Sequence, residues 1–493
     1  MGDEVAVTSY TREDRHRYRE KVLLDLDVFG RMLSQSVFDY ERPLIGMEIE
    51  LNLVDESYQP RMTNAEVLER IADPAFQTEI GQYNIELNVE PRSLPGDGAI
   101  ELEKELRRSL NRAESLANET GAHTVAIGIL PTVMPQHLHT GAMSDKLRYA
   151  ALNEAMVNAR GEDMYIDIEG ATGEHVAMYA DSIAPESACT SVQLHLQVAP
   201  QDFAAYWNSA QALSGLQLAL GANSPYFCGK QLWHETRVEL FNQSTDTRSI
   251  ELKNQGVRPR VFFGERWITS VFDLFEENVR YFPALLPEIT DEDPVATLEA
   301  GGTPRLSELR LHNGTVYRWN RPVYDIADGK PHLRVENRVL PAGPTIVDTM
   351  ANSAFYYGVL RRIAQDDRPI WTQMSFAAAE RNFHTCAQLG IGSKVYWPGF
   401  GEVRADDLVL RHLLPMAHDG LSHWGVSTAV SDRYLGVIEG RCISGVNGAS
   451  WQIAAVRRLE ERGADRATAL KGMLEHYVRA MHTNEPVHTW GLP

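Results

Sequence analysis

The sequence predicts an α+β fold, and three observations lead there. Several short stretches alternate apolar and polar residues with the period of a strand, others repeat apolar residues at helical spacing, and the two kinds follow no regular βαβ series. In chain order, Val22, Leu23, Leu26, Phe29 and Leu33 mark a helix within the first 40 residues, before Pro43 admits the first strand. That strand is "LIGMEIELNLV", Leu44 to Val54. Ile45, Met47, Ile49, Leu51 and Leu53 face one way, and Glu48, Glu50 and Asn52 the other. "QYNIELNVEP" is a second strand, with Tyr83, Ile85, Leu87 and Val89 opposite Asn84, Glu86, Asn88 and Glu90. A helix follows in "DGAIELEKELRRSLNRAESLANETG", where Gly121 supplies the stop. "SVQLHLQVAP" sets Val192, Leu194, Leu196 and Val198 against Gln193, His195 and Gln197. "PHLRVENRVLP" sets Leu333, Val335 and Val339 against His332, Arg334, Glu336 and Arg338.

Residues 286–304 are acidic and contain Pro and Gly, the composition of a surface insertion or linker. From about Met350 the pattern turns mainly helical, in "TMANSAFYYGVLRRIAQ", "ADDLVLRHLLPMAHDGL" and "DRATALKGMLEHYVRAMH". The expected division is a catalytic core over 1–349 and a helical region over 350–493 packed on it.

Composition narrows the function. The 493 residues carry a formal net charge of −20, and no basic stretch is long enough to neutralise many phosphates, which argues against nucleic acid or an anionic membrane as partner. An anionic substrate needs local arginine or a metal ion. The four cysteines, Cys189, Cys228, Cys386 and Cys442, have neither zinc-site spacing nor the density of a disulfide scaffold. The amino terminus lacks the apolar core of a signal peptide and no run of about 18 apolar residues occurs, so a soluble protein of the reducing cytoplasm is expected. Whether it forms a homo-oligomer is left open.

The polar strand faces share a theme. A solvent-facing sheet mixes Thr, Ser and Lys with its charges, yet these four faces concentrate Glu, His, Gln, Asn and Arg and hold no lysine. Adjacent carboxylates repel unless divalent cations neutralise them, which points to magnesium or manganese on oxygen ligands. Arginines beside them suit phosphate or carboxylate groups, which their planar fork binds bidentately. Other motifs are read as structural. His137 and His139 have HxH spacing but no carboxylate partner, "EGRCISGVNGASWQ" lacks the ending of a P-loop, and Cys189 and Cys228 have no local base.

"GMEIEL", "TEIGQYNIEL", "VQLHLQV", "ANSPYFCGKQLWHETR" and "LRVENR", in this order over roughly residues 40 to 350, resemble the bacterial and plant-type glutamate–cysteine ligase family of carboxylate–amine ligases. More distantly the chain is similar to glutamine synthetase. The resemblance implies a glutamine synthetase-like fold, a curved mainly antiparallel sheet with helices on its outer face. It implies ATP and Mg2+ (or Mn2+) as cofactors, glutamate and cysteine or another amine as substrates, and a γ-glutamyl phosphate intermediate. By the same resemblance Glu48, Glu50, Glu79, Glu86, His195 and Glu336 are metal ligands, with Glu90 a looser correspondence. His195, Gln193 and Arg334 serve the nucleotide, Arg338 meets the transferring phosphate, and Arg237 binds substrate or phosphate. Asn223 and Ser224 lie in the loop approaching Arg237, and Arg441, Asn447 and Gln452 are open to a substrate-loop role. The rival readings are a ligase with another amine acceptor, a nucleotide-binding regulator without catalysis, and a metal-dependent hydrolase.

Overall fold

Seven strands form one antiparallel sheet among the described residues, which in the computed structural model are 5, 7, 10–40 and 43–493. Part of the amino-terminal stretch read for a signal peptide lies outside them. The spatial order begins at Asn320–Ala327 and runs through Lys330–Asn337, Val192–Gln197, Leu44–Val54 and Asn84–Ser93 to Phe76–Thr78. His123–Val125 also pairs with the end of Leu44–Val54. The sheet curls into a half-barrel. All four strands read from the sequence belong to it, and register brings their polar faces together: Glu48 lies opposite Gln193 and Asn88, Glu50 opposite Glu86, and Glu336 opposite His195.

Two local devices shape this face. Gly46 sits opposite His195, and a Cβ there would come to 3.4 Å from His195 Cβ, so the glycine leaves room for the imidazole. Farther along, Ile45 pairs with Arg92 but Met47 with Val89, a bulge with one extra residue on the Asn84–Ser93 strand. The alternation that carries Glu86 and Asn88 therefore breaks before Glu90, which is exposed. The edge strand Asn320–Ala327 contains Pro322, tolerated because an edge needs fewer ladder donors.

The apolar face is covered by helices. Ile49 and Leu51 line a crevice with residues of the helix Gly98–Asn118 and the start of Ile346–Ala364, while Ile45 and Met47 line another with Met350, Ala354 and Tyr357 of the latter. Tyr357 Oη also donates to the backbone carbonyl of His195 at 3.0 Å. The helix Phe203–Gly221 is buried at every residue from Tyr206 onward, as expected for a helix apolar on most sides. Two of its amides pair with the sheet, Gln217 with Asn337 and Gln211 with Asn320. The three carboxyl-terminal helical stretches read from the sequence are present, the middle one containing a π-helical turn at Val409–Leu413 just before Pro415. Residues 286–304 lie along the first helix, Arg12–Gln35, whose Lys21 donates to the carbonyls of Thr290 and Glu292. Among the described residues no helix is long and apolar enough to cross a membrane.

Candidate active site

The polar face floors a cavity of about 260 Å³. Glu48, Glu50, Glu79, Glu86, Gln193, Arg237, Arg334, Glu336 and Arg338, all singled out from the sequence, line it. His195 is held between two of them, with Nε2 3.2 Å from Glu48 Oε1 and Nδ1 accepting from Arg334 Nε at 3.1 Å. The contact to Glu48 is of ion-pairing length but is not aligned as a hydrogen bond. With Nδ1 accepting, the ring proton stands on Nε2, facing Glu48, and ligating a metal there would require that proton to leave.

Charge is divided along the cavity. On one side Glu336 takes Arg321 Nη2 at 2.8 Å and Arg338 Nη1 at 2.7 Å. Against its burial, these two guanidinium groups hold its carboxyl well below the usual range. Burial also pushes Glu48 up, but the His195 ring facing it holds it below the usual range. On the other side burial dominates. It raises Glu50 against the pull of Arg338, raises Glu79 well above its ordinary value with Glu86 and Glu50 adding to it, and pushes Glu86 up to about 7. Glu186, with Glu50 adding to its burial, is pushed up to about 8.

Buried carboxylates that also face one another would be favoured in their charged form by a bound cation. Oxygen donors of this type suit Mg2+ or Mn2+, so the residues fit the expected metal. Among the described residues no three His, Cys, Asp or Glu side chains already converge on one metal position. Glu50 is meanwhile oriented by Ser191 N at 2.6 Å, Ser191 Oγ at 3.0 Å and Gln193 Nε2 at 3.1 Å.

Arg237 borders the cavity, but its donors point into the protein: Nε to Glu235, Nη1 to the carbonyl of Arg338 and Nη2 to that of Val339. In this geometry it braces the backbone that carries Arg338. The residues open to a substrate-loop role are placed elsewhere. Arg441 pairs with buried Asp348 at 2.8 Å, Asn447 caps the helix Gly448–Glu461, and Gln452 donates to Asn223. Asn223 and Ser224 are buried as well, Ser224 Oγ donating to Glu235 at 2.7 Å. His137 and His139 each accept a nearby backbone N–H at 3.1 Å, and burial pushes the Cys189 and Cys228 thiols up, away from reactivity.

The cavity also holds residues the sequence did not mark. Arg321 and Asp325 come from the Pro-containing edge strand, Arg148 and Tyr149 from the helix Leu147–Arg160, and Glu186 from the short turn Ala184–Ala188. Alternation around Pro322 could have found Arg321 and Asp325. Nothing periodic marks Glu186.

The model of glutamate-cysteine ligase family 2 matches residues 44–468. Among solved structures, a glutamate–cysteine ligase from Francisella tularensis in complex with AMP superposes with a TM-score of 0.54 at 13% identity, covering 92% of this chain and 96% of that one. A bifunctional glutathione synthetase from Pasteurella multocida gives a TM-score of 0.53 at 12% identity over 93% of this chain, which spans 55% of that longer protein. At these identities the likeness is one of fold. A search of curated proteins finds no relative of the sequence.

Proposed function

The chain belongs to glutamate–cysteine ligase family 2, and from that membership we propose an ATP-dependent carboxylate–amine ligase that joins glutamate to cysteine in the cytoplasm. The observation that carries the reading is one cavity with two electrostatic ends, clustered buried carboxylates beside arginines anchored on Glu336. The carboxylates suit metal-bound nucleotide, and the arginines suit the phosphate in transit. Glu48, Glu50, Glu79, Glu86 and Glu336 would hold the cations, which when bound neutralise the triphosphate.

The chain's own groups then divide the work. Arg338, fixed by Glu336 and by Gln193 at 2.6 Å, offers positive charge where a γ-carboxylate would become an acyl phosphate. Arg334, set by Asp325 at 3.0 Å and backed by His195 at 3.1 Å, would serve the nucleotide. Arg237 fixes the chain that carries Arg338. The aromatic wall of Phe241, Tyr317 and Trp319 limits water at the reacting carbonyl, so that an amine meets it first.

The test is ADP release by the purified protein with ATP and Mg2+, first with glutamate alone and then with cysteine or other amines added. Release that requires both glutamate and cysteine is the expected result. Release with a different amine replaces the acceptor. Silence with every amine, in a protein that still binds ATP, overturns the ligase reading in favour of a regulator.

A further inference from the structure

Seven carboxylates line the cavity, and six are engaged by the protein. Glu48 has His195, Glu50 has Ser191 and Gln193, Glu79 accepts its neighbour Ile80 N, Glu86 accepts Asn88, Asp325 has Arg310 and Arg334, and Glu336 has Arg321 and Arg338. Glu186 is the exception. Its carboxylate lines the cavity and accepts no hydrogen bond among the described residues. It is also the one glutamate of the cavity that the proposed metal set leaves unassigned.

The surroundings of Glu186 are suited to a cation with an organic body. Its charge reaches Tyr149 and Tyr317, whose phenols it helps to push up after burial has done so. Tyr317 packs edge-on against Phe241 at 5.4 Å, and Phe241 against Trp319 at 5.8 Å. An ammonium beside such rings gains cation–π attraction as well as its ion pair. The charged groups that face Glu186 are Glu50, Glu79 and Arg338. Arg338, the residue assigned to the phosphate in transit, lines the same cavity, so a cation on Glu186 shares the site with the carbon under attack.

We propose that Glu186 receives the ammonium group of the acceptor amine, takes one of its protons so that the neutral amine attacks the acyl phosphate with inorganic phosphate leaving, and restricts acceptors to those that arrive with that charge. This rests on the ligase reading. The α-ammonium of the glutamate donor is the competing guest, but it lies several bonds from the reacting γ-carboxyl. A group held close to the target of Arg338 is better matched to the nucleophile itself.

Hydroxylamine separates the possibilities because it is a nucleophile that is neutral at pH 7 and needs no carboxylate to hold it. Wild type, Glu186→Gln and Glu186→Asp are assayed for ADP release with glutamate, Mg-ATP and either the amino-acid acceptor or hydroxylamine, and their folding is compared by thermal melting. In Glu186→Gln the KM for the amino-acid acceptor should rise about tenfold to a hundredfold, the effect of losing a hydrogen bond to a charged group. Hydroxylamine turnover, the KM for glutamate and the Mg2+ dependence should stay within about twofold of wild type. Glu186→Asp should recover part of the acceptor affinity. An unchanged acceptor KM overturns the proposal. So does a raised glutamate KM, which makes the donor the guest, or a shifted Mg2+ dependence with hydroxylamine turnover lost, which makes Glu186 a metal ligand. If wild type releases no ADP with either nucleophile, the ligase reading falls and the proposal with it.

Discussion

Arg338 and Gln193 are joined by a 2.6 Å hydrogen bond in which Arg338 Nη1 donates to the amide oxygen, while the other end of the same amide donates to Glu50 at 3.1 Å. Gln193 therefore holds a guanidinium and a carboxylate at fixed positions and keeps them from closing on each other. Replacing it with methionine preserves volume and removes both bonds. ADP release by Gln193→Met should fall about a hundredfold, in line with the loss of a preorganised donor, with the melting temperature little changed. A variant that keeps wild-type turnover would show that Arg338 needs no such tether.

Glu50 and Glu336 should behave differently when neutralised, although both are expected to be metal ligands. Burial already disfavours the charge on Glu50, so Glu50→Gln should fold at least as stably as wild type and lose metal-dependent ADP release. Glu336 compensates Arg321 and Arg338, and its own pKa lies well below the usual range. Glu336→Gln leaves two partly buried guanidinium groups short of a counter-charge and should cost about 3–5 kcal/mol in addition to activity. Urea melts of the two variants check this, and equal stability would contradict the assigned charge states.

The site was legible where strands made it so. Period-two alternation put Glu48, Glu50, Glu86, Gln193, His195, Arg334 and Glu336 on one face, and the observed register joins those faces. It misled at Glu90, because a bulge is a property of the pair and not of one strand. Glu186 was invisible because a short turn has no period, and Arg321 because Pro322 reads as a break. Helices could be found from spacing, but the partners of Arg441, Asn447 and Gln452 lie up to 229 positions away and are set by packing alone.

Arg441 illustrates the consequence. It joins Asp348 at 2.8 Å and Asn352 at 2.6 Å, and Asp348 in turn accepts Val487 N at 3.1 Å, so one buried ion pair ties the helices Ile346–Ala364 and Thr428–Ser444 to the carboxyl-terminal segment. Arg441→Met strands the charge of Asp348 and should destabilise the protein by about 3–5 kcal/mol. The KM values for ATP and amine should not move when measured well below the melting temperature, since Arg441 does not line the cavity. A raised KM would restore the substrate-loop reading.

Asp25 provides a pH test independent of catalysis. It is 1% exposed on the first helix and accepts Leu309 N at 3.0 Å. Burial pushes its carboxyl up to about 7 despite that hydrogen bond, with Glu308 and Glu292 adding to the rise and Lys21 opposing it. In the unfolded chain the same group titrates near 3.9. Between these two values the native state keeps a proton that the unfolded state has released, so its contribution to stability is complete below about pH 4 and is lost as pH rises toward 7. The loss is bounded at about 4 kcal/mol. Asp25→Asn keeps an acceptor for Leu309 and cannot ionise. It should therefore melt higher than wild type at pH 8 and show no such advantage at pH 4, and a gain of equal size at both pH values would mean that Asp25 is not protonated in the native protein.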